Sequence, residues 1–418
     1  MLSSSLRSRP AYTLSVRPRK KGFVERNRVF GLAGFRPRLH SAGLTCSFLP
    51  RKAGIDNALR CPEQDSSRLA KHDKGQYHSI FLPYSRLGQG VRMFIVTGGA
   101  GLIGSAIIWE LNRRGVDDIL VVDNLASTEK WKNLVRLKYS DYMHRDAFIE
   151  QVRGAGLKGL GVEGVIHMGA CSSTTEKDAD FLMRNNFHFT RDLCWAALDA
   201  GARFITASSA ATYGDGSLGF SDSIELMPKL RPLNMYGYSK QLFDLLALRG
   251  GILDNIVSLK FFNVYGPNEY HKGSMRSVVC KAVPQIQETG RLGLFKSDRP
   301  DYEDGGQKRD FVYVKDCAAL VCWFHEHGTV NGVFNVGTGQ ARSWNDLARA
   351  IFASMDRPAD IQYIDMPDTL KGKYQYFTQA DMSWMKRVDC DFAFRSLEDG
   401  VNDYVRNYLL KDEAHLES

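Results

Sequence analysis

The 418-residue sequence predicts an α/β fold, a doubly wound parallel sheet of the Rossmann type with a smaller α/β lobe beside it. Three observations predict it. Short apolar runs at residues 94–97, 119–122, 165–167, 204–207 and 256–262 alternate with longer stretches of helical period, as strands buried on both faces alternate with their crossover helices. A glycine-rich turn follows the first run directly. From about residue 263 the alternation becomes irregular, which is where the smaller lobe is expected to begin.

The first run, Phe94-Ile-Val-Thr97, enters Gly98-Gly-Ala-Gly101-Leu102-Ile103-Gly104, and a helical stretch continues to about Arg114. Glycines at 98, 101 and 104 permit a tight turn, close approach of a pyrophosphate to the backbone, and close helix packing. The helix N-terminus that follows favours the anion. The second run, Ile119–Val122, ends in Asp123, where a dinucleotide fold places a carboxylate on the adenosine ribose. Asp123 with Asn124 also reads as a plain strand-end turn. A carboxylate here favours a free 2′-hydroxyl and so NAD, whereas Lys130, Lys132 and Arg145 can offset a 2′-phosphate and admit NADP. Surface lysines and arginines more commonly serve only as solvated charge.

Val165-Ile-His167 leads into Met168-Gly169-Ala170-Cys171-Ser172, small residues suited to a close cofactor. With no base in view, Cys171 reads as packing more readily than as a nucleophile. A helix near 181–199 carries Asn185 and Asn186 in its first half. Phe204–Ala207 delivers Ser208 and Ser209 at its C-terminal end, the end where open α/β sheets place ligands. A serine at that point also serves as a cap or turn residue. Then comes Tyr236-Gly-Tyr-Ser-Lys240. On a helix Tyr236 and Lys240 share one face, near enough for the ammonium to stabilise a phenolate. The same spacing also arises on helices from packing alone. The run at 256–262 leads into Asn263-Val-Tyr-Gly-Pro267, and Gly332–Val336 is expected to complete the sheet.

These elements divide the chain into a basic extension at 1–92, a dinucleotide-binding domain at 93–262 completed by about 311–340 and 391–412, and a lobe made of 263–310 and 341–390. Residues 298–308 are polar and read as a mobile loop. Residues 1–92 carry 18 Lys and Arg against 5 Asp and Glu, a charge of +13, which leaves −5 for the rest of a chain whose formal charge is +8. The basic signal belongs to the front end alone, which argues against nucleic acid as a partner of the body. Arg- and Ser-rich, and broken by Pro10, Pro18, Pro37 and Pro50, that segment is expected to be disordered. It reads as a translation start assigned upstream of a natural Met93, as a transit peptide, or as a basic arm. A composition 44% hydrophobic and 24% charged, with no apolar stretch of membrane-spanning length, fits a soluble enzyme and excludes a membrane protein of helical type. The eight cysteines, Cys46, Cys61, Cys171, Cys194, Cys280, Cys317, Cys322 and Cys390, form no C-x-x-C pair, and no His/Cys cluster has zinc spacing. Reduced thiols in the cytoplasm and no metal are the expectation.

A strand-linked GxxGxxG, a strand-end Ser and Tyr-x-x-x-Lys, in that order, resemble the extended short-chain dehydrogenases/reductases. Within that superfamily the chain resembles the ADP-L-glycero-D-manno-heptose 6-epimerases. The strings that carry the resemblance are GGAGLIG (98–104), VVDNL (121–125), GACSSTTE (169–176), SSAATYG (208–214), YGYSK (236–240), FNVYGP (262–267), HKGSM (271–275), KRDFVYV (308–314), FNVGTG (334–339) and KGKYQYFTQAD (371–381). They run from Met93 nearly to the C-terminus, and GACSSTTE and HKGSM are far more specific than the superfamily pattern.

The resemblance implies inversion at C6 of an ADP-linked heptose on the route to the lipopolysaccharide core. It implies NADP as the bound cofactor, with NAD as the alternative, and a homo-oligomer, often a pentamer. Its two acid/base groups fall on Tyr236 and Lys272, with Lys240 orienting the cofactor ribose and helping Tyr236 ionise, and Ser209 at the hydroxyl position. Lys272, beside His271, also reads as a phosphate-binding cation. The implied cofactor contacts are Gly98, Gly101, Leu102, Ile103, Gly104, Asp123, Asn124, Lys130, Arg145, Met168–Ser172, Asn185, Lys240, Val264 and Lys272. The implied substrate contacts are Asn263, Ser274, Lys281, Phe295, Arg309 and Tyr374. Arg145 stands where the family often has Lys, and Lys281 where it often has His; the 298–308 segment is longer than usual. Phe295 reads equally as core or as a surface for a base to stack on.

Two other activities share much of this pattern. A UDP-hexose 4-epimerase uses the same Ser, Tyr and Lys and is separated only by the specific strings. A sugar-nucleotide dehydratase needs an acid pair after the strand-end hydroxyl, where this chain has Ala210 and Ala211. A non-catalytic dinucleotide-binding module has no use for Tyr236, Lys240 and Lys272 together.

Overall fold

The structure, a computed structural model, describes residues 93–368, 375–411 and 415–418. In chain order the elements are β1 (Met93–Thr97), α1 (Leu102–Arg113), β2 (Ile119–Asp123), β3 (Asp141–His144), α2 (Arg145–Gly154), β4 (Val162–His167), α3 (Ala179–Leu182), α4 (Phe189–Asp199), β5 (Arg203–Ser209), α5 (Met235–Arg249), β6 (Ile256–Phe261) and β7 (Asn263–Tyr265). They continue with α6 (Val278–Thr289), β8 (Leu292–Phe295), β9 (Lys308–Tyr313), α7 (Val314–Glu326), β10 (Gly332–Val336), β11 (Ala341–Ser343), α8 (Trp344–Ser354), β12 (Ile361–Ile364), α9 (Trp384–Arg387) and α10 (Leu397–Tyr404).

Seven strands form one sheet in the order β10-β6-β5-β4-β1-β2-β3, and every pair is parallel. The order reverses between β1 and β4. There the connections leave to opposite sides and open a crevice beyond the C-terminal strand ends. Alternate residues feed two cores. Phe94, Val96, Ile119 and Val121 join the layer with α1 and α7, while Met93, Ile95, Leu120 and Val122 join that with α2, α4 and α5. Both faces being buried explains why these strands read as unbroken apolar runs.

The remaining strands form two small sheets, β11-β9-β7 and β12-β8. Val279 and Ile286 of α6, Leu292 of β8 and Leu347 and Ile351 of α8 lie in the same apolar cluster as one face of the large sheet. The lobe and the sheet therefore share a core. Residues 298–307 form turns between β8 and β9, pinned by Ser297 N on Asp304 Oδ1 (2.8 Å) and Gly305 N on the Phe295 carbonyl (3.2 Å).

The helix expected near 181–199 is interrupted. Residues Met183–His188 form a π-helical turn between α3 and α4. The wider turn puts Asn186 Oδ1 on Cys171 N (2.9 Å) and its Nδ2 on Cys171 O and Ser239 Oγ (both 3.0 Å). One buried amide thus fastens the loop after β4 to α5. Among the described residues no helix is long and apolar enough to cross a membrane, and no group of three or more His, Cys, Asp or Glu is placed to hold a metal.

Candidate active site

A cavity of about 850 Å³ opens at the crevice, and its floor is the β1–α1 turn. Gly98 has φ +66°, and a Cβ there would meet Gly169 N at 2.7 Å; one on Gly104 would meet Gly98 O at 2.1 Å. Only glycine lets these backbones meet and leaves the N–H groups of α1 facing outward. Asp123 closes the turn from the next strand, accepting from Ala100 N at 2.8 Å and from Lys130 Nζ at 2.6 Å. Asn133, 1% exposed, donates to Ala100 O (2.8 Å) and Asn268 O (2.9 Å), and its Oδ1 faces His415 Nδ1 at 3.0 Å. It ties the glycine turn to the segment carrying Lys272. Leu416, fully buried beside it, donates its N–H to Asn268 Oδ1.

Every residue expected to contact the cofactor lines this cavity: Gly98, Gly101–Gly104, Asp123, Asn124, Lys130, Arg145, Met168–Ser172, Asn185, Lys240, Val264 and Lys272. So do Ser209 and Tyr236. Of the expected substrate residues Asn263 lines it, whereas Ser274, Lys281, Phe295 and Arg309 lie outside the lining. Ser274 and Lys281 are neighbours, with Lys281 Nζ 3.4 Å from the Ser274 carbonyl. The Arg309 guanidinium donates to the carbonyls of Lys308 and Gln375 and lies 5.9 Å from the Trp344 ring centre. Phe295 is half-buried at the end of β8. Tyr374 lies outside the described residues. Lys132, weighed above as a 2′-phosphate cation, pairs instead with Glu129 and stacks near Trp131, because residues 129–133 form a 3₁₀ turn that sends Lys130 and Lys132 in different directions. Cavity residues that the sequence did not single out include Thr97, Thr128 and Phe189.

The candidate acid/base residues of the lining come from three places, the end of β5, α5 and the loop after β7. Asn234 caps α5, accepting from Gly237 N at 2.8 Å, and so starts the helix just ahead of Tyr236. Tyr236 is half-buried. Burial pushes its phenol above the ordinary value, and a hydrogen bond with Ser209 pulls the other way. This differs from the expectation that Lys240 draws Tyr236 toward ionisation. In this arrangement the Lys240 ammonium donates to the Ala207 carbonyl at 2.8 Å, and desolvation of the phenol dominates. Burial likewise pushes Lys240 down to about 8 against the pull of Asp244. Lys272 is also pushed down by burial, opposed by Glu269. That carboxylate is itself buried and organises the loop by accepting from Ser277 Oγ (2.6 Å) and Gly266 N (3.3 Å). His271 is pushed down to about 4 by burial and by Lys130 and Lys272, so it is a neutral partner of Asn133.

A dinucleotide fits these residues. The glycine turn leaves room for a pyrophosphate and no room for a Cβ, and Lys130, Arg145, Lys240 and Lys272 face the cavity against Asp123 as the carboxylate of its lining. A glycine turn at the sheet's switch point, beside a Ser/Tyr/Lys set, defines an enzyme of the extended short-chain dehydrogenase/reductase class, using a nicotinamide dinucleotide.

The comparisons with known proteins narrow the class. Residues 94–337 match the model of the NAD dependent epimerase/dehydratase family. The chain is 61% identical over 324 residues to an ADP-L-glycero-D-manno-heptose-6-epimerase of Nitratidesulfovibrio vulgaris, covering 78% of this chain and 100% of that one. It is 45% identical over 333 residues to the protein of the same name from Fusobacterium nucleatum, at the same coverage. The crystal structure of the Helicobacter pylori ADP-L-glycero-D-manno-heptose-6-epimerase superposes with a TM-score of 0.62 at 25% identity, over 76% of this chain and 96% of that one. The chain belongs to the NAD dependent epimerase/dehydratase family and, within it, to the ADP-L-glycero-D-manno-heptose-6-epimerases.

Proposed function

We propose that the protein interconverts ADP-D-glycero-D-manno-heptose and ADP-L-glycero-D-manno-heptose, a step toward the lipopolysaccharide core, with NADP as its resident cofactor. The observation that carries this reading is that Ser209, Tyr236, Lys240 and Lys272 all line the dinucleotide cavity, in a chain 61% identical to a relative of that name. C6 of the heptose bears a hydroxyl and no neighbouring carbonyl, so its hydrogen is not acidic and inversion needs transient oxidation. A bound nicotinamide supplies a hydride acceptor and later donor. The chain does the rest. Lys272, its ammonium disfavoured by burial, takes the hydroxyl proton as a neutral amine. Tyr236, held protonated and hydrogen-bonded to Ser209, gives a proton to the ketone oxygen once that group has turned over. With the two groups on different elements, the oxygen meets an acid/base partner in both orientations. Lys240 would orient the cofactor ribose, and Lys130 and Arg145, which line the cavity, would hold a 2′-phosphate, which supports NADP over NAD.

We also propose a cytoplasmic homo-oligomer, a pentamer by resemblance, with 93–262, about 311–340 and 391–412 as the cofactor domain. The lobe of 263–310 and 341–390 holds the ADP-sugar through Asn263, Ser274, Lys281, Phe295, Arg309 and Tyr374. Proton NMR of ADP-D-glycero-D-manno-heptose incubated with the protein and NADP tests the reading. A mixture of C6 epimers is expected, with the rate cut about 10²- to 10⁴-fold by Tyr236→Phe. Turnover of a UDP-hexose with the heptose untouched would overturn the substrate.

A further inference from the structure

One turn beyond Lys240 on α5 stands Asp244, so Tyr236, Lys240 and Asp244 form a stripe at four-residue spacing. Asp244 is 1% exposed and faces Lys260, next to last in β6, which is 0% exposed; Lys260 Nζ lies 3.3 Å from Asp244 Oδ2. The carboxylate is fully engaged. Ser208 Oγ donates to Oδ2 and Ser258 Oγ to Oδ1, each at 2.7 Å. Lys260 in turn donates to Thr212 Oγ1 at 2.7 Å and lies 4.9 Å over the Tyr213 ring. These contacts bracket Ser209: Ser208 precedes it on β5, and Thr212 and Tyr213 belong to the 3₁₀ turn that follows.

A buried ion pair contributes little to stability, because desolvating both charges offsets their attraction, and an apolar pair of like volume often serves as well. This pair lies directly behind the reacting groups. We propose that Asp244 and Lys260 are positioning residues for the proton-transfer set: Asp244 keeps Lys240 an ammonium, Lys260 limits that pull, and together they hold Ser209 against Tyr236. The proposal rests on the reading of Tyr236 and Lys240 given above.

The surroundings of Lys240 leave this work to Asp244. On α5 it is flanked by Tyr236 and Asp244. From β5 it meets the Ala207 carbonyl, and Ser208 and Ser209 follow on the same strand. From β4 comes His167, fully buried between Thr97 Oγ1 (2.6 Å) and Thr190 Oγ1 (2.8 Å) and pushed down to about 3, hence neutral. On β6, Lys260 pairs with Asp244. The Cys171 thiol, on the loop after β4, acts on Tyr236. Asp222 reaches Lys260, but its own oxygens are taken by Asn335 N and Arg387. Asp244 is the carboxylate whose charge raises Lys240.

Two single substitutions therefore act in opposite directions. Asp244→Asn removes the attraction and makes Lys240 lose its proton at lower pH, whereas Lys260→Met leaves the Asp244 charge unshared and makes it lose its proton at higher pH. A merely structural pair gives loss in both and no opposed movement. The test is carbon NMR of ligand-free protein labelled at lysine Cε, with the Lys240 signal assigned by its disappearance in Lys240→Arg. The titration midpoint is expected to fall by about one pH unit in Asp244→Asn and to rise by a similar amount in Lys260→Met. The alkaline limb of kcat/KM for heptose epimerisation should follow each. Should either single variant fail to fold, the charge-free pair Asp244→Asn/Lys260→Met keeps the layer filled, and its midpoint is expected to fall. Midpoints unmoved, or moved the same way in both single variants, overturn the proposal. The titration needs no substrate, so failure of the unaltered protein to turn over the heptose refutes the functional reading instead.

Discussion

Replacing Gly104 with alanine separates cofactor binding from folding. The added methyl would stand 2.1 Å from Gly98 O, 2.7 Å from Gly98 C and 2.9 Å from Gly99 Cα, all of them backbone atoms with no side-chain freedom. Carbon contacts settle at about 3.5–4.0 Å, so the start of α1 must withdraw from the turn by roughly 1 Å. Gly98 cannot yield toward the sheet, since it already abuts Gly169. Overpacking of this kind costs about 1–3 kcal/mol, while alanine for glycine inside a helix returns about 1 kcal/mol. The net effect on stability is about 0–2 kcal/mol, a modest fall in Tm. Binding suffers more. A withdrawal of that size takes the first N–H groups of α1 out of reach of the pyrophosphate, and two charge-assisted hydrogen bonds at about 1.5–3 kcal/mol each correspond to at least a 100-fold rise in Kd. Calorimetric titration of NADP into ligand-free protein, with thermal unfolding alongside, measures both. Gly154→Ala is the control, because nothing lies within 4 Å of a Cβ there. NADP affinity within about threefold of the unaltered protein would refute the account of the turn.

Two further outcomes are expected. Lys130→Met should weaken NADP by about 10- to 100-fold while sparing NAD, since it removes a 2′-phosphate cation and frees Asp123 for the ribose hydroxyls; equal loss of both cofactors would contradict this. His167, pushed down to about 3 in the fold, takes up a proton on unfolding at any pH between that value and its ordinary 6.5. Its contribution is intact above about pH 6.5 and is lost on acidification at about 1.4 kcal/mol per pH unit. His167→Asn should flatten the acid slope of urea-measured stability by that amount, and an unchanged slope would refute the buried neutral imidazole.

What the sequence made legible follows from where the chain is buried. Strands covered on both faces leave uninterrupted apolar runs, so β1, β2, β4, β5, β6 and β10 could be read directly. The edge strand β3, Asp-Tyr-Met-His with both ends exposed, left no such run. The π turn at Met183–His188 keeps a helical pattern, so the placement of Asn186 was invisible although the residue itself stood out. Lys130 and Lys132 looked equivalent because only the 3₁₀ turn separates their directions. Lys260 interrupts an apolar strand and is explained only by Asp244, sixteen positions earlier and one helical turn past Lys240. Asn133 and the residues near His415 carry no local signature, since each is defined by a partner far away in sequence. The Ser, Tyr and Lys positions were legible because their spacing is set by one strand end and one helix. Their protonation was not, because it depends on burial that only packing supplies.

The most direct test of the central claim, oxidation and return at a single carbon, uses ADP-D-glycero-D-manno-heptose deuterated at C6 and incubated in ordinary water with the NADP-loaded protein. Hydride transfer to the bound nicotinamide and return from it predicts that the L-glycero epimer retains the deuterium at C6. Protium at C6 in the product, drawn from solvent, would contradict the account and require direct proton exchange instead.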